Sequence, residues 1–271
     1  MTIEEAVVYG KQYISSTETK ILIASIMNHD TLEIINYLHE ELSKEQEEKF
    51  KELIKARKDN IPVQYITNSV NFYGLELYVD ENVLIPRFET EELVEKAVKF
   101  LNEKFTSPKV LDLCCGSGAI GLAIKAKINN SIVSMSDISI NALEVAKKNK
   151  EKLNLDVEII ESDLFQNINE KYDCILSNPP YIKTNEEIED IVKENEPHLA
   201  LYGGEDGLLY YERILSEIKN YLNPNFLIGF EIGETQKNDV INIVNKYLDN
   251  TNIYAFKDLS GRDRMIFITN K

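Results

Sequence analysis

After Ser107-Pro108 the chain alternates short apolar runs with helical stretches, and this alternation restricts the possible folds more than any other feature. Residues 110–113, 131–135, 157–160, 174–176 and 226–230 read as buried strands. Helical spacing occupies residues 119–128, 142–153, 208–222 and 240–248. Strands joined through helices run parallel, because each crossover returns the chain to the edge it left. The pattern therefore predicts a parallel sheet with helices on both faces. Two more strands, near residues 253–256 and 265–268, are joined by Ser260-Gly261-Arg262-Asp263. A link so short and rich in turn formers allows only an antiparallel pair.

The part before this is different. Ser43 with Gln46 forms a capping-box pattern, and the charged run to Lys58 carries Phe50, Leu53 and Ile54 on one face, as an amphipathic helix does. Ile21, Leu22 and Ile26, then Leu32, Ile34, Ile35 and Leu38, fit two shorter helices broken near Asn28-His29-Asp30. Residues 1–60 are thus expected to form a small helical domain. Over residues 61–86 aromatic and β-branched residues surround Asn71, Gly74 and Asp80, which predicts a β-hairpin linker. Pro86 ends that segment. Thr90 is expected to cap a helix through Leu93, Val94, Ala97 and Leu101, at the start of a sheet domain spanning residues 87–271.

Charge narrows the partners. The chain holds 30 basic and 46 acidic residues, a net charge of −16. Nucleic-acid binders grip phosphates with clustered Lys and Arg, and no basic stripe stands out here, so no direct nucleic-acid partner is expected. No run approaches the roughly 20 apolar residues that span a bilayer. Met1-Thr2-Ile3-Glu4-Glu5 lacks the basic-then-apolar pattern of a secretory signal. Three cysteines, two of them adjacent, make no disulfide framework, and a reducing cytoplasm is the expected setting.

The segment Val110-Leu111-Asp112-Leu113-Cys114-Cys115-Gly116-Ser117-Gly118-Ala119-Ile120-Gly121 reads as a strand, a tight loop and a helix start. Gly116, Gly118 and Gly121 satisfy G-x-G-x-x-G, and Asp137 lies where a ribose-binding acid belongs. That much fits NAD as well as S-adenosyl-L-methionine. Asp112 separates the two, since an acid there repels a pyrophosphate but can pair with a methionine ammonium. Asp163 and Leu164, after the third strand, are expected at the adenine, although Leu164 also reads as a core residue. Cys114, Cys115, Gly116 and Ser117 would lie along the ligand. No Cys or His stands at metal-ligand spacing, so no metal is expected.

Asn178-Pro179-Pro180-Tyr181 follows the apolar strand ending in Cys174-Ile175-Leu176, and ligands in open α/β sheets bind beyond the carboxyl ends of strands. An amide nitrogen is a poor nucleophile because its lone pair is delocalised into the carbonyl. Asn178 Oδ1 and the Pro179 carbonyl can each accept one N–H of a planar NH₂ group, fixing it and stabilising the positive charge that develops on methylation. Pro179 and Pro180 stiffen the loop and contribute no competing N–H. Tyr181 offers an aromatic face to the amide.

With these residues the chain resembles the peptide-chain-release-factor glutamine methyltransferases, the PrmC or HemK family. The likeness runs through Ile61-Pro62-Val63-Gln64-Tyr65-Ile66, Phe72-Tyr73-Gly74-Leu75, Val83-Leu84-Ile85-Pro86-Arg87 and Thr90-Glu91. It continues through Ser177-Asn178-Pro179-Pro180-Tyr181-Ile182, Glu196-Pro197, Gly203-Gly204-Glu205-Asp206-Gly207-Leu208 and Gly261-Arg262-Asp263-Arg264. A glycine often stands in the family where this chain has Cys114. The resemblance implies a class I (Rossmann-like) methyltransferase sheet with an antiparallel C-terminal hairpin and a helical N-terminal domain that helps dock the substrate. It implies S-adenosyl-L-methionine as cofactor and the glutamine of a Gly-Gly-Gln tripeptide in release factors as target. Arg87 is a further candidate for substrate contact, and Glu231 for contact or support. A ribosomal-protein glutamine methyltransferase and a DNA adenine methyltransferase are the alternatives; Thr90-Glu91 favours the release factor, and the acidic balance disfavours DNA. A non-catalytic or NAD-binding Rossmann protein would leave Asn178-Pro179-Pro180-Tyr181 without a role.

Overall fold

Capping boxes start the first helices of the computed structural model, which describes residues 1–271. Thr2, Ser15 and Ser43 each accept the N–H of the third helical residue, and Glu5, Glu18 and Gln46 reach back to the cap N–H. Two of the donors that a helix start leaves unpaired are satisfied in this way. The boxes open α1 (Ile3–Gly10), α2 (Ser16–Met27) and α3 (Lys44–Lys58), with a 3₁₀ turn at Glu33–Tyr37 after α2. At 8 residues α1 is too short for its periodicity to stand out in the sequence.

The chain divides into two compact units, Met1–Ser69 with Glu189–Asn195, and Val70–Ile188 with Glu196–Lys271. In the first, Ile3, Leu22, Ile23, Ile34, Phe50 and Ile54 pack into one apolar cluster. Val63 joins that cluster, and here the extended segment expected from residue 61 is corrected. Val63–Thr67 form a turn of helix, α4, in which Val63 and Tyr65 are buried. Burial of the apolar side chains outweighs their β-propensity.

The second unit begins with the hairpin proper, β1 (Val70–Phe72) and β2 (Leu75–Leu77). It turns at Tyr73 and Gly74, at φ 49° and 82°, the left-handed pair a two-residue hairpin loop requires. α5 (Phe88–Lys104) follows, and Thr90 is not its cap. Arg87 holds the cap position without a side-chain bond, while the Thr90 hydroxyl, one turn inside, donates to the buried Glu231 carboxylate.

The elements then run β3 (Lys109–Leu113), α6 (Ala119–Lys127), β4 (Ile132–Asp137), α7 (Ile140–Leu153), β5 (Glu158–Glu161) and β6 (Tyr172–Ser177). After α8 (Asp190–Asn195), whose residues belong to the first unit, come α9 (Leu209–Glu217), β7 (Leu222–Glu231), α10 (Lys237–Tyr247), β8 (Thr251–Lys257) and β9 (Asp263–Asn270). The sheet order is β5-β4-β3-β6-β7-β9-β8; β9 is antiparallel to both of its neighbours and the other pairs are parallel. Leu93, Leu122 and Leu143 from α5, α6 and α7 cover one face, and Tyr211, Ile214 and Val240 from α9 and α10 the other. This is the doubly wound α/β sheet with an antiparallel C-terminal pair that the alternation predicts. The order in which strands are added reverses between β3 and β6, and that switch point leaves a crevice at their carboxyl ends.

Candidate active site

Strand register gathers the candidate residues at one edge. Leu113 of β3 lies opposite Ser136 of β4 and Ser177 of β6, and Ser177 lies opposite Phe230 of β7. The next residues along each strand, Cys114, Asp137, Asn178 and Glu231, therefore lie side by side at the carboxyl ends, Asp137 and Glu231 as the last residues of β4 and β7. Two bonds tie the ends together: Ser177 Oγ donates to the Leu113 carbonyl at 2.6 Å, and the Cys115 N–H to the Ser136 carbonyl at 2.9 Å.

The loop after β3 is shaped by its backbone. Cys114, Gly116 and Gly118 take φ of 63°, 52° and 80°. Gly118 caps α6 in the left-handed conformation, which favours glycine. At Gly121 a Cβ would lie 2.7 Å from Met135 Cγ, so only glycine lets α6 approach β4 this closely. Asp112 is fully buried and does not line the cavity. Its Oδ2 accepts the Gly121 N–H at 2.8 Å, and its Oδ1 has no partner in the protein. Burial pushes the Asp112 carboxyl up to about 7, against the pull of the Gly121 N–H and with help from nearby Asp137. Burial also raises the Cys114 and Cys115 thiols, with Asp137 adding to the effect, which keeps both protonated and poor nucleophiles.

One cavity opens at this edge, walled by Cys114, Cys115, Gly116, Ser117, Asp137, Asp163, Leu164, Asn178 and Pro180 among the expected residues. The Gly116 N–H donates to Asp137 Oδ2 and the Ser139 N–H to Oδ1, both at 2.9 Å. These bonds aim the carboxylate, and each oxygen keeps a lone pair for a ligand hydroxyl. Burial raises the Asp137 carboxyl, with the Ser139, Gly116 and Ile138 N–H groups opposing. Asp163 is held by Arg213, whose Nη2 lies 2.9 Å from both carboxylate oxygens. Leu164, at φ 50°, turns inward beside it and is buried.

Opposite stands the segment before α5: Val83, Leu84, Pro86 and Arg87. Arg87 donates to Glu196 Oε1 at 2.6 Å, and the same buried carboxylate accepts the Ile85 N–H at 3.2 Å. Gly118, Pro179 and Tyr181 do not line the cavity. The Tyr181 hydroxyl instead donates to Glu231 Oε1 at 3.3 Å, and burial followed by the Glu231 charge raises its pKa. Asn178 Nδ2 lies 3.4 Å from Thr90 Oγ1. Gln236 Nε2 donates to the Tyr181 carbonyl at 2.9 Å, fixing the far end of the loop. No group of three or more His, Cys, Asp or Glu side chains is gathered as for a metal ion.

Sequence reasoning does not find Ile138, Leu199, Tyr210 or Arg213, which also line the cavity. A faint signal exists for the last two. They lie three residues apart on α9 and so share one helix face, which turns toward the sheet edge.

Chemically, the cavity offers an aimed carboxylate, a backbone-shaped loop and an apolar wall on one side, with an amide acceptor loop on the other. Residues 90–205 match the family model described as methyltransferase small domain, and residues 12–67 match the PrmC N-terminal domain. A methyltransferase structure from Pyrococcus furiosus shares the fold, with a TM-score of 0.53 at 20% identity over 72% of this chain and 88% of that one. The release factor glutamine methyltransferase of Clostridium acetobutylicum is 39% identical, covering 92% of this chain and 89% of that protein. Its counterpart from Streptococcus pneumoniae is 41% identical, covering 90% and 88%. Relatives this similar along nearly the whole length, on a sheet and loop arrangement of this kind, make the chain a member of the release factor glutamine methyltransferase family.

Proposed function

We propose that this protein transfers a methyl group from S-adenosyl-L-methionine to the side-chain amide nitrogen of the glutamine in the Gly-Gly-Gln motif of peptide-chain release factors. One observation carries the reading: the glycine loop and the Asn-Pro-Pro-Tyr loop leave adjacent strands in register and wall a single cavity. The release-factor substrate is that of the relatives' named activity, the partner is a protein rather than nucleic acid or membrane, and the cytoplasm is the setting in which it would be met. No helix is long and apolar enough to cross a membrane.

The cavity suits the cofactor. Asp112 does not line the cavity, and its unpartnered buried Oδ1 is the acceptor assigned to the ammonium through water. Asp137 presents two oriented oxygens to ribose hydroxyls, and residues 114–117 leave room for close backbone approach. Asp163 with Arg213, beside Leu164 and Ile138, forms the adenine end. The cofactor supplies a methyl group made electrophilic by its sulfonium.

The chain's own residues prepare the nucleophile. Asn178 Oδ1 and the Pro179 carbonyl accept the two N–H groups of the target amide and hold its nitrogen in line with the methyl. Forming the N–CH₃ bond while the S–CH₃ bond breaks, its electron pair left on sulfur, would make the nitrogen positive, and the two acceptors would stabilise that charge more than they stabilise the neutral amide. A proton then leaves to water, so no general base is needed. Pro180 keeps the loop extended, Tyr181 anchors its end, and Arg87 holds the wall opposite. Residues 1–60 act as the docking domain, residues 61–86 as the linker and residues 87–271 as the methyltransferase domain.

The test is incubation with isotopically labelled S-adenosyl-L-methionine and a purified release factor, followed by mass-spectrometric mapping. Label on the Gly-Gly-Gln glutamine is expected; label confined to a ribosomal protein or to DNA would overturn the reading. A short Gly-Gly-Gln peptide should be a far poorer substrate by kcat/KM than the intact factor. The loop recognises little beyond one primary amide, so remote contacts must supply the orientation, and a flexible peptide loses more entropy on binding.

A further inference from the structure

Behind the Asn-Pro-Pro-Tyr loop one buried carboxylate serves both of its ends. Glu231, 1% exposed, closes β7. Its Oε2 accepts the Thr90 hydroxyl at 2.6 Å and its Oε1 the Tyr181 hydroxyl at 3.3 Å. Thr90, also buried, faces Asn178 Nδ2 across 3.4 Å. Such a cluster is costly to bury unless its hydrogen bonds are satisfied. Burial raises the Glu231 carboxyl, and the Thr90 hydroxyl, then Arg264 and the Tyr181 hydroxyl, oppose it in favour of the carboxylate. Arg264 also donates to Asp258 and to the Ile232 carbonyl.

The direction of the bonds follows from the protons available. A hydroxyl owns one hydrogen, and a carboxylate only accepts. Thr90 therefore gives its hydrogen to Glu231 and meets Asn178 with lone pairs alone. Lone pairs select the NH₂ end of the Asn178 amide, which turns Oδ1 to the other side, toward the cavity that Asn178 lines. Were Thr90 to donate toward Asn178, the amide would turn over. Two N–H groups would then oppose the NH₂ of an incoming substrate, donor against donor.

We infer that Glu231 and Thr90 are positioning residues, a polarity relay that fixes the Asn178 amide with its oxygen rather than its nitrogen toward the substrate. The inference rests on Asn178 acting as an acceptor for the target amide, as proposed above. It extends the site to Glu231, which does not line the cavity, and to Thr90, which borders it and acts through Asn178.

Thr90→Val keeps the shape of the side chain and removes both its donor and its acceptor; Thr90→Ser keeps the hydroxyl. With the full-length enzyme and an intact release factor, Thr90→Val should lower kcat roughly three- to tenfold, the worth of one ordered side chain. Cofactor Kd should stay within about twofold, and Thr90→Ser should restore kcat. In an Asn178→Ala background Thr90→Val should cost nothing further, since its effect passes through Asn178. Glu231→Gln, whose amide can offer Thr90 either end, should also lower kcat and should not add to Thr90→Val. It carries the test should the valine variant fail to fold.

Normal kcat in Thr90→Val or Glu231→Gln would overturn the relay, as would a Thr90→Ser enzyme as slow as the valine variant. Additive loss on top of Asn178→Ala would do so too. If Asn178→Ala itself turned over normally, the acceptor role would fall and the relay with it. A crippled Asn178→Ala beside a normal Thr90→Val would sink the relay alone.

Discussion

The loops after β3 and β6 leave neighbouring strands at the same level, yet they are held by different means. In the first, support is local and mostly backbone. The Gly118 N–H donates to the Cys115 carbonyl, the Cys115 N–H to Ser136, and Gly116 to Asp137 on the adjacent strand. In the second, prolines stiffen the chain but both ends depend on side chains from remote segments: Thr90 on α5, Glu231 on β7 and Gln236 before α10. A loop that conforms to a ligand can be built from glycines and its own amides. A loop that must aim one amide oxygen needs partners of definite polarity, and these come from wherever the fold brings them.

The contrast is sharpest at Asn178. Asn178→Ala should lower kcat by about 10²–10³, the typical cost of losing one preorganised transition-state group. Cofactor affinity by calorimetry should change no more than a few-fold, because the lost contact acts after binding. Near-normal turnover would show that the side chain is not the acceptor it is taken to be.

Asp137→Ala tests the other loop, and its effect should lie on the other side of that division. In the proposed function the carboxylate would meet two ribose hydroxyls, and it holds two backbone N–H groups. Its removal should weaken cofactor binding by roughly ten- to a hundredfold, given about 1.5–3 kcal/mol for a hydrogen bond to a charged group. At saturating cofactor kcat should largely recover. A folded variant of unchanged affinity would move the ribose contact elsewhere.

Gly207→Ala asks whether the second loop truly depends on distant backbone. Gly207 sits at φ 75°, and a Cβ there would lie 2.3 Å from the Tyr181 carbonyl oxygen and 2.5 Å from Gln236 Nε2. The carbonyl cannot yield without moving the loop. Left-handed strain and overpacking together should cost roughly 1–3 kcal/mol by denaturant unfolding. kcat should fall with it while cofactor affinity holds. A variant that is less stable but fully active would mean the loop tolerates displacement, and the contrast would weaken.

This division also decides what the sequence could disclose. Gly116, Gly118, Asp137 and Asn178 stand in or near short motifs whose meaning is local, and the strand–helix alternation carries the sheet. Thr90 is misread as a cap because a hydroxyl near a helix start has an obvious local partner, whereas its real partner, Glu231, lies on another strand. Gln236 gives no signal, and Arg213 only its shared helix face with Tyr210, because their partners lie far along the chain. Val63–Thr67 has the composition of a strand, and only the apolar cluster it joins makes it helical.

The smallest effect is expected at Cys114, where the family often has glycine, and two opposing terms decide it. At φ 63° an L-residue bears left-handed strain of about 1–2 kcal/mol, which glycine would relieve. Against this, glycine loses roughly 0.5–1 kcal/mol more backbone entropy on folding. The Cys114 side chain, which packs at the margin of the core beside α9, would also be lost. Cys114→Gly should therefore stay within about 1 kcal/mol of the parent in stability and keep its cofactor affinity. Cys114→Val is the informative partner. Valine differs little in size, but a β-branched side chain is poorly tolerated at positive φ, so it should destabilise clearly more than glycine. That ranking follows only if conformation, and not the thiol, is what the loop requires. If a folded Cys114→Gly enzyme lost its cofactor while Cys114→Val kept it, the first loop too would depend on a side chain, and the contrast between the two would fail.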